Sequence, residues 1–193
     1  MKPGTRALGV AESTDESEGR CVFCGAIIRA DRTVDGLGFA SAAVGGIDAT
    51  DAVRALFAET VREDVRYVIV SGVAPAWFNL LDLDALATAA ERPVLAVSYE
   101  SSPGLEPALR EQFDGAALAE RLAIYDRLPP RRPVEVNGET VFVRGLDGDA
   151  AVSDAAATRI VREYTPTGGR PEPLRVARLA ARGARAWRSR DEG

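Results

Sequence analysis

The amino-acid sequence predicts a mixed α/β domain, with one sheet of three antiparallel strands extended by parallel βαβ additions and flanked by helices. Three observations carry that expectation. Three apolar segments follow one another between residues 6 and 44 before any helical spacing begins. From residue 48 onward, helical spacings alternate with short apolar runs. Two of those runs, Tyr67 to Val70 and Pro93 to Ser98, are apolar almost throughout, as strands covered on both faces are.

The elements follow in order. Arg6 to Ala11 suits a first strand, and the polar stretch Glu12 to Gly19 a loop. Cys21 to Arg29 reads as a second strand, and Asp31-Arg32 turns into a third, Thr33 to Val44, whose glycines and small residues point to bending or close packing. Gly45-Gly46 breaks the run. Asp48 to Asp51 then supplies N-cap candidates for a helix with apolar positions Val53, Leu56, Phe57, Thr60 and Val61. After the strand Tyr67 to Val70 come a loop from Ser71 to Phe78 and a helix from Leu80 to Ala90, with Asn79 as its candidate cap. Beyond the strand Pro93 to Ser98 lie helices at about Leu105 to Phe113 and Ala116 to Leu128, the second stopped by Pro129-Pro130. Asn137-Gly138, between two short β-forming runs, is the strongest hairpin signal in the chain. Ser153 to Tyr164 is helical, Pro166 to Pro173 is a Gly/Pro-rich joint, and an arginine-rich helix closes the chain at about 173–188.

Composition narrows the chemistry. With 193 residues, 46% of them apolar, the chain supports one core, so a single domain over 1–193 is expected. No apolar run is long enough to cross a bilayer, and Met1 to Arg6 lacks the apolar stretch of a secretion signal, so a cytoplasmic protein without membrane partners is expected. There is no histidine. That removes Ser-His-Asp and Cys-His catalysis and His-rich zinc sites, leaving carboxylates, hydroxyls, arginines or a metal held by oxygen. Lys2 is the sole lysine, and the net charge is −5; a salt-adapted acidic proteome and a GC-rich genome both produce such an arginine bias. Cys21 and Cys24 lack the second pair that a structural zinc needs. Residues three apart on a strand also point to opposite faces, so two buried structural cysteines are expected.

Four segments in order carry a resemblance: Ala7-Leu8-Gly9-Val10, then Gly46-Ile47-Asp48-Ala49-Thr50-Asp51-Ala52. Next come Val70-Ser71-Gly72-Val73 running on to Phe78-Asn79-Leu80-Leu81-Asp82, and finally Gly168-Gly169-Arg170-Pro171-Glu172-Pro173-Leu174-Arg175-Val176-Ala177. Together they resemble an archaeal domain-of-unknown-function family also called endonuclease dU, a relative of endonuclease V. The resemblance implies an RNase H-like fold and endonuclease activity on nucleic acid with deaminated bases, deoxyuridine in particular. It also implies DNA before RNA as partner, and Mg2+ or Mn2+ wherever catalysis occurs.

Against that family's acidic pattern the chain has Ala11 after the first strand's Gly-hydrophobic pair, with Glu12 beside it. It has Ser71 where a second aspartate is expected, and it keeps Asp48. The resemblance therefore implies a catalytic set of Glu12, Asp48 and Ser71, with Glu12 and Asp48 as metal ligands and Glu100 as a further acid that could converge on them. A non-catalytic nucleic-acid-binding protein of the same fold is the alternative. As bland roles, Glu12 is a solvated loop acid, Glu100 a strand-end acid and Asp48 a helix cap.

From Arg170 to Arg190 there are seven arginines and one acid. Arg175, Arg178, Arg182 and Arg185 step by three, four and three onto one helical face, which suits phosphate contacts as well as it suits a solvated helix. Arg170, Arg175, Arg178 and Arg182 are the nucleic-acid-binding candidates. Trp77 joins them as an aromatic that could stack on a base, while Phe78 is expected in the core. Ser71-Gly72 lacks the Gly-x-Ser-x-Gly frame of a hydrolase nucleophile.

Overall fold

The protein is described by a computed structural model that covers residues 2–15, 17, 19–60 and 63–191. Three long strands open it: β1 (Arg6–Ser13), β2 (Arg20–Arg29) and β3 (Val34–Ala43). Then come α1 (Ala49–Thr60), β4 (Val65–Ser71), the single turn α2 (Pro75–Phe78), α3 (Leu83–Ala90) and β5 (Val94–Ser98). Helices α4 (Glu106–Gln112) and α5 (Gly115–Asp126) lead to strands β6 (Arg132–Val136), β7 (Glu139–Asp147) and β8 (Ala150–Ala151). The chain closes with α6 (Asp154–Glu163) and α7 (Glu172–Asp191).

The sheet runs β3-β2-β1-β4-β5-β7-β6, with β8 on β7. β1, β2 and β3 pair antiparallel, whereas β4 and β5 add in parallel beside β1. This is the RNase H-like mixed sheet that the element order predicts. The last addition is not a parallel βαβ unit: β7 joins β5 antiparallel and carries β6 through the Asn137-Gly138 turn. Both turn residues have positive φ, 51° and 82°, the conformation that a two-residue hairpin requires.

Strand alternation splits the core into two layers. Leu8, Val10, Phe23, Val68 and Val70 face α1 and α3, packing on Val53, Leu56 and Leu86. Ala7, Ile69, Leu95 and Val97 face the other way, toward Ile160, Tyr164 and Leu174 of α6 and α7. Ala11, Ala26 and Ile28 meet Ala177 on that second face. Small side chains there let α7 lie close to β1 and β2. Gly9 sits hard against it: a Cβ at that position would lie 2.3 Å from the carbonyl carbon of Pro173.

Two boundaries move for physical reasons. β1 runs past Ala11, because Glu12 and Ser13 pair with Phe23 and Val22 in the long ladder with β2; Glu12 is a strand residue, not a loop one. α3 starts at Leu83 because Asp82 caps it, accepting from the Asp84 and Ala85 amides. Asn79 therefore does not cap α3. The α1 positions Val53, Leu56, Phe57 and Thr60 are buried as expected, and Val61 lies outside the described residues.

Candidate functional site

The parallel strands end at a rim where the expected acidic residues should meet, and the pleat decides which of them can. Side chains along a strand alternate between faces. Ala11 lies on the α7 face with Ala26 and Ala177, and Ser71, two residues after Ile69, points to the same side. Glu12 follows Leu8 and Val10 in parity and points to the opposite side, over α1. Asp48 lies on that side too. Both Glu12 and Asp48 lie near enough to Cys21 for their charges to add to the burial that raises its thiol pKa. Glu12 and Asp48 are thus brought to one face of the rim, and Ser71 to the other.

On the α1 side the carboxylates are occupied. Both oxygens of Asp48 accept from the Ala43 amide, at 3.0 and 3.1 Å, and one also accepts from Asn79 Nδ2 at 2.8 Å. Glu12 accepts from Thr14 Oγ1 at 2.6 Å. Asn79, wholly buried, donates to the Ala43 carbonyl and accepts from the Ala49 amide, so it caps α1 from 30 residues away. Arg121 completes the lock as the one buried side chain of α5. It donates to the carbonyls of Gly45, Gly46, Phe78 and Ala117, and its guanidinium stacks 3.8 Å from the Phe113 ring centre. Burial pulls its pKa below the ordinary arginine value.

These contacts fix a strained turn. Ala76, Trp77 and Phe78 all have positive φ, at 46°, 58° and 60°, a left-handed run that non-glycine residues adopt only when their surroundings impose it. Gly45 fits beneath because it has no side chain; a Cβ there would lie 2.7 Å from the Trp77 ring. Trp77 is 44% exposed and braced by Phe78 and Phe113 at 5.9 and 5.4 Å between ring centres. Phe78 is half-buried in that cluster. An indole held rigid yet open to solvent is suited to stacking.

On the α7 side the charge is reversed. Arg170 lies over the Tyr99 ring at 4.4 Å. Tyr99 Oη is buried without a partner among the described residues; burial pushes its pKa up to about 12 against the opposing charges of Arg170 and Arg178. The α7 arginines divide. Arg175 is clamped by Glu172 at 2.6 and 2.7 Å, and Arg185 donates to Ser13 and Asp15. Arg178 touches the Glu12 carbonyl at 3.4 Å, and both it and Arg182 are exposed without an ion pair among the described residues. The free positive surface is therefore narrower than the spacing implies.

A magnesium or manganese ion does not fit the donors at the ends of β1 and β4. Ala11 offers none, Ser71 a neutral hydroxyl, and no group of three His, Cys, Asp or Glu side chains is arranged to hold a metal among the described residues. Cys21 and Cys24 are free and buried on opposite faces of β2, Cys24 with its pKa raised to about 12 by burial. Sequence reasoning missed Arg121 and Tyr99. An arginine amid the half-buried apolar positions of α5 was the available signal for the first; nothing local marked the second. No helix among the described residues is long and apolar enough to cross a membrane.

A family model described as Endonuclease dU matches residues 3–185. A UPF0215 protein of Pyrobaculum aerophilum is 32% identical over 183 residues, covering 93% of this chain and 94% of the relative. A solved structure of a protein of unknown function from Archaeoglobus fulgidus has TM-score 0.78 at 21% identity, covering 93% of this chain and 97% of that one. The endonuclease V of Ciona intestinalis, in complex with a 24-mer DNA containing an inosine followed by a ribo-adenosine, has TM-score 0.61 at 12% identity, covering 93% and 85%.

Proposed function

Because the chain belongs to the endonuclease dU family, we propose that it is a nuclease-like protein that binds nucleic acid along the rim of its sheet and cleaves it slowly or not at all. One observation carries this reading: at the ends of β1 and β4 stand Ala11 and Ser71, and the groups gathered on their side are Arg170, Arg178 and Tyr99. Strand ends that lack carboxylates and have arginines beside them attract phosphate and hold poorly the metal that hydrolysis would need. Trp77 and the exposed Arg178 and Arg182 would hold the strand, with DNA the first class to test and RNA the second.

The second reading is a divergent metal-dependent endonuclease acting at deaminated bases, deoxyuridine above all, with Glu12 and Asp48 as ligands for Mg2+ or Mn2+. Family membership favours it. A nicking assay on deoxyuridine-containing DNA with each metal separates the two. The expected result is no nicking above a metal-free control. Robust metal-dependent nicking, lost in both Glu12→Gln and Asp48→Ala while the circular dichroism spectrum is retained, would establish the endonuclease instead. Ala11→Asp with Ser71→Asp should raise metal affinity, measurable by titration whether or not nicking returns.

A further inference from the structure

A cleft of about 290 Å3 opens between the segment after β4 (Gly72, Val73, Ala74), the end of β5, and β7. Two arginines line it, Arg131 just before β6 and Arg144 in mid-strand opposite Ala96. Both are half-buried. Some half-buried arginines take carboxylates, as Arg6 takes Asp35, and others, such as Arg92, are held by carbonyls alone. Here neither arginine takes a carboxylate, among the described residues.

Arg131 donates to Ser98 Oγ at 3.1 Å, to the Ser102 carbonyl at 3.3 Å and to the Glu100 carbonyl, and lies 4.0 Å over the Phe142 ring. Arg144 donates to the Pro129 carbonyl at 2.5 Å and sits 5.5 Å from the Tyr125 ring. All of these acceptors are neutral. Glu100 lines the cleft but is exposed at its mouth and pairs with neither arginine. Two like charges held together without a counter-ion cost free energy that a bound anion would relieve. Burial, then the charge of Arg144, lowers the pKa of Arg131, which places the two guanidiniums within each other's field.

We propose that this cleft binds a phosphate group, with Arg131 and Arg144 as its ligands. Planar guanidiniums match phosphate oxygens in pairs, and the hydroxyls of Ser98, Ser102 and Tyr125 supply further polar contacts around the same space. The segment that lines the cleft, Gly72 to Ala74, runs directly into the Trp77 turn. The proposal rests on the nucleic-acid reading for the source of the phosphate, which is either a terminal monoester or an internal diester.

The test titrates inorganic phosphate, then a short single-stranded DNA with a 5′-phosphate and the same strand with a 5′-hydroxyl. Wild type should bind inorganic phosphate, and Arg144→Gln and Arg131→Gln should each weaken it at least tenfold while Arg144→Lys retains part. A 5′-phosphate preference that vanishes in Arg144→Gln assigns the cleft to strand ends. Equal binding of both strands, weakened in Arg144→Gln, assigns it to the diester. Phosphate affinity absent in wild type, or unchanged in both glutamine variants with folding verified by circular dichroism, overturns the proposal. Strand binding that survives both glutamine variants but is lost in Arg178→Ala with Arg182→Ala also overturns it, and leaves the nucleic-acid reading standing. Phosphate binding lost in the glutamine variants, with neither strand bound by wild type, supports the cleft and removes the nucleic-acid reading.

Discussion

The two faces of the sheet's rim make opposite use of charge. Over α1 stand Glu12 and Asp48, acids whose oxygens are committed to Thr14, Ala43 and Asn79. Over α7 Ala11 and Ser71 carry no charge themselves, and the arginines 170 and 178 stand beside Tyr99. The acids over α1 are thus structural, whereas over α7 Arg178 and Arg182 are left exposed to a ligand. What distinguishes a site from scaffolding here is unspent hydrogen-bonding capacity: a carboxylate with its acceptors filled is part of the fold whatever its position in a family pattern.

The largest test of that contrast is Arg121→Ala, which strips the carbonyls of Gly45, Gly46 and Phe78 of their donor. Depriving three half-buried carbonyls of that donor should cost about 3 kcal/mol in urea unfolding. A loss below about 1 kcal/mol would mean that water replaces the guanidinium and that the α1 face is not locked. Asp48→Asn comes next, since an amide can no longer offer two acceptors to Ala43 beside the Asn79 donor; about 1.5 kcal/mol of stability should go, with nucleic-acid affinity unchanged. Weakened binding at retained stability would move Asp48 from scaffold to site.

On the α7 face the expected effects invert. Arg178→Ala with Arg182→Ala should leave stability within about 0.5 kcal/mol while lowering affinity for DNA roughly tenfold and flattening the log–log salt slope by about 1.5. Arg175→Ala should change affinity less, because Glu172 already neutralises it. An equal effect from all three would mean that the Glu172 pair opens on binding. Trp77→Ala should weaken single-strand binding about fivefold, near the lower end of what one stacked base contributes; no change in fluorescence-monitored affinity would return Trp77 to a purely bracing role. The smallest effect belongs to β2, whose thiols sit one on each face. With burial raising both pKa values, and Cys24 to about 12, native protein at pH 8 should resist iodoacetamide and react only once unfolded.

The element order, the hairpin at Asn137-Gly138, the buried strands Tyr67 to Val70 and Pro93 to Ser98, and the burial of Cys21 and Cys24 were all legible in the chain. Each depends on spacing between near neighbours, and local backbone geometry converts such spacing directly into structure. The parity that sends Ala11 and Glu12 to opposite faces was not, because Glu12 reads as a loop residue and only the ladder with β2 extends the strand through it. Which face would receive α7 was not, since that depends on Gly9 admitting Pro173 from the far end of the chain. Asn79 looked like the cap of the helix beside it and instead caps α1, because its amide completes a three-residue contact with Ala43 and Asp48. Arg175 and Arg178 looked alike on a helical wheel, yet one is spent on Glu172 and the other is exposed. The cleft between Arg131 and Arg144 joins residues that no short-range pattern relates. Local periodicity determines where a side chain points along its own element; whether its charge or hydrogen-bonding capacity is left free depends on what long-range packing brings against it.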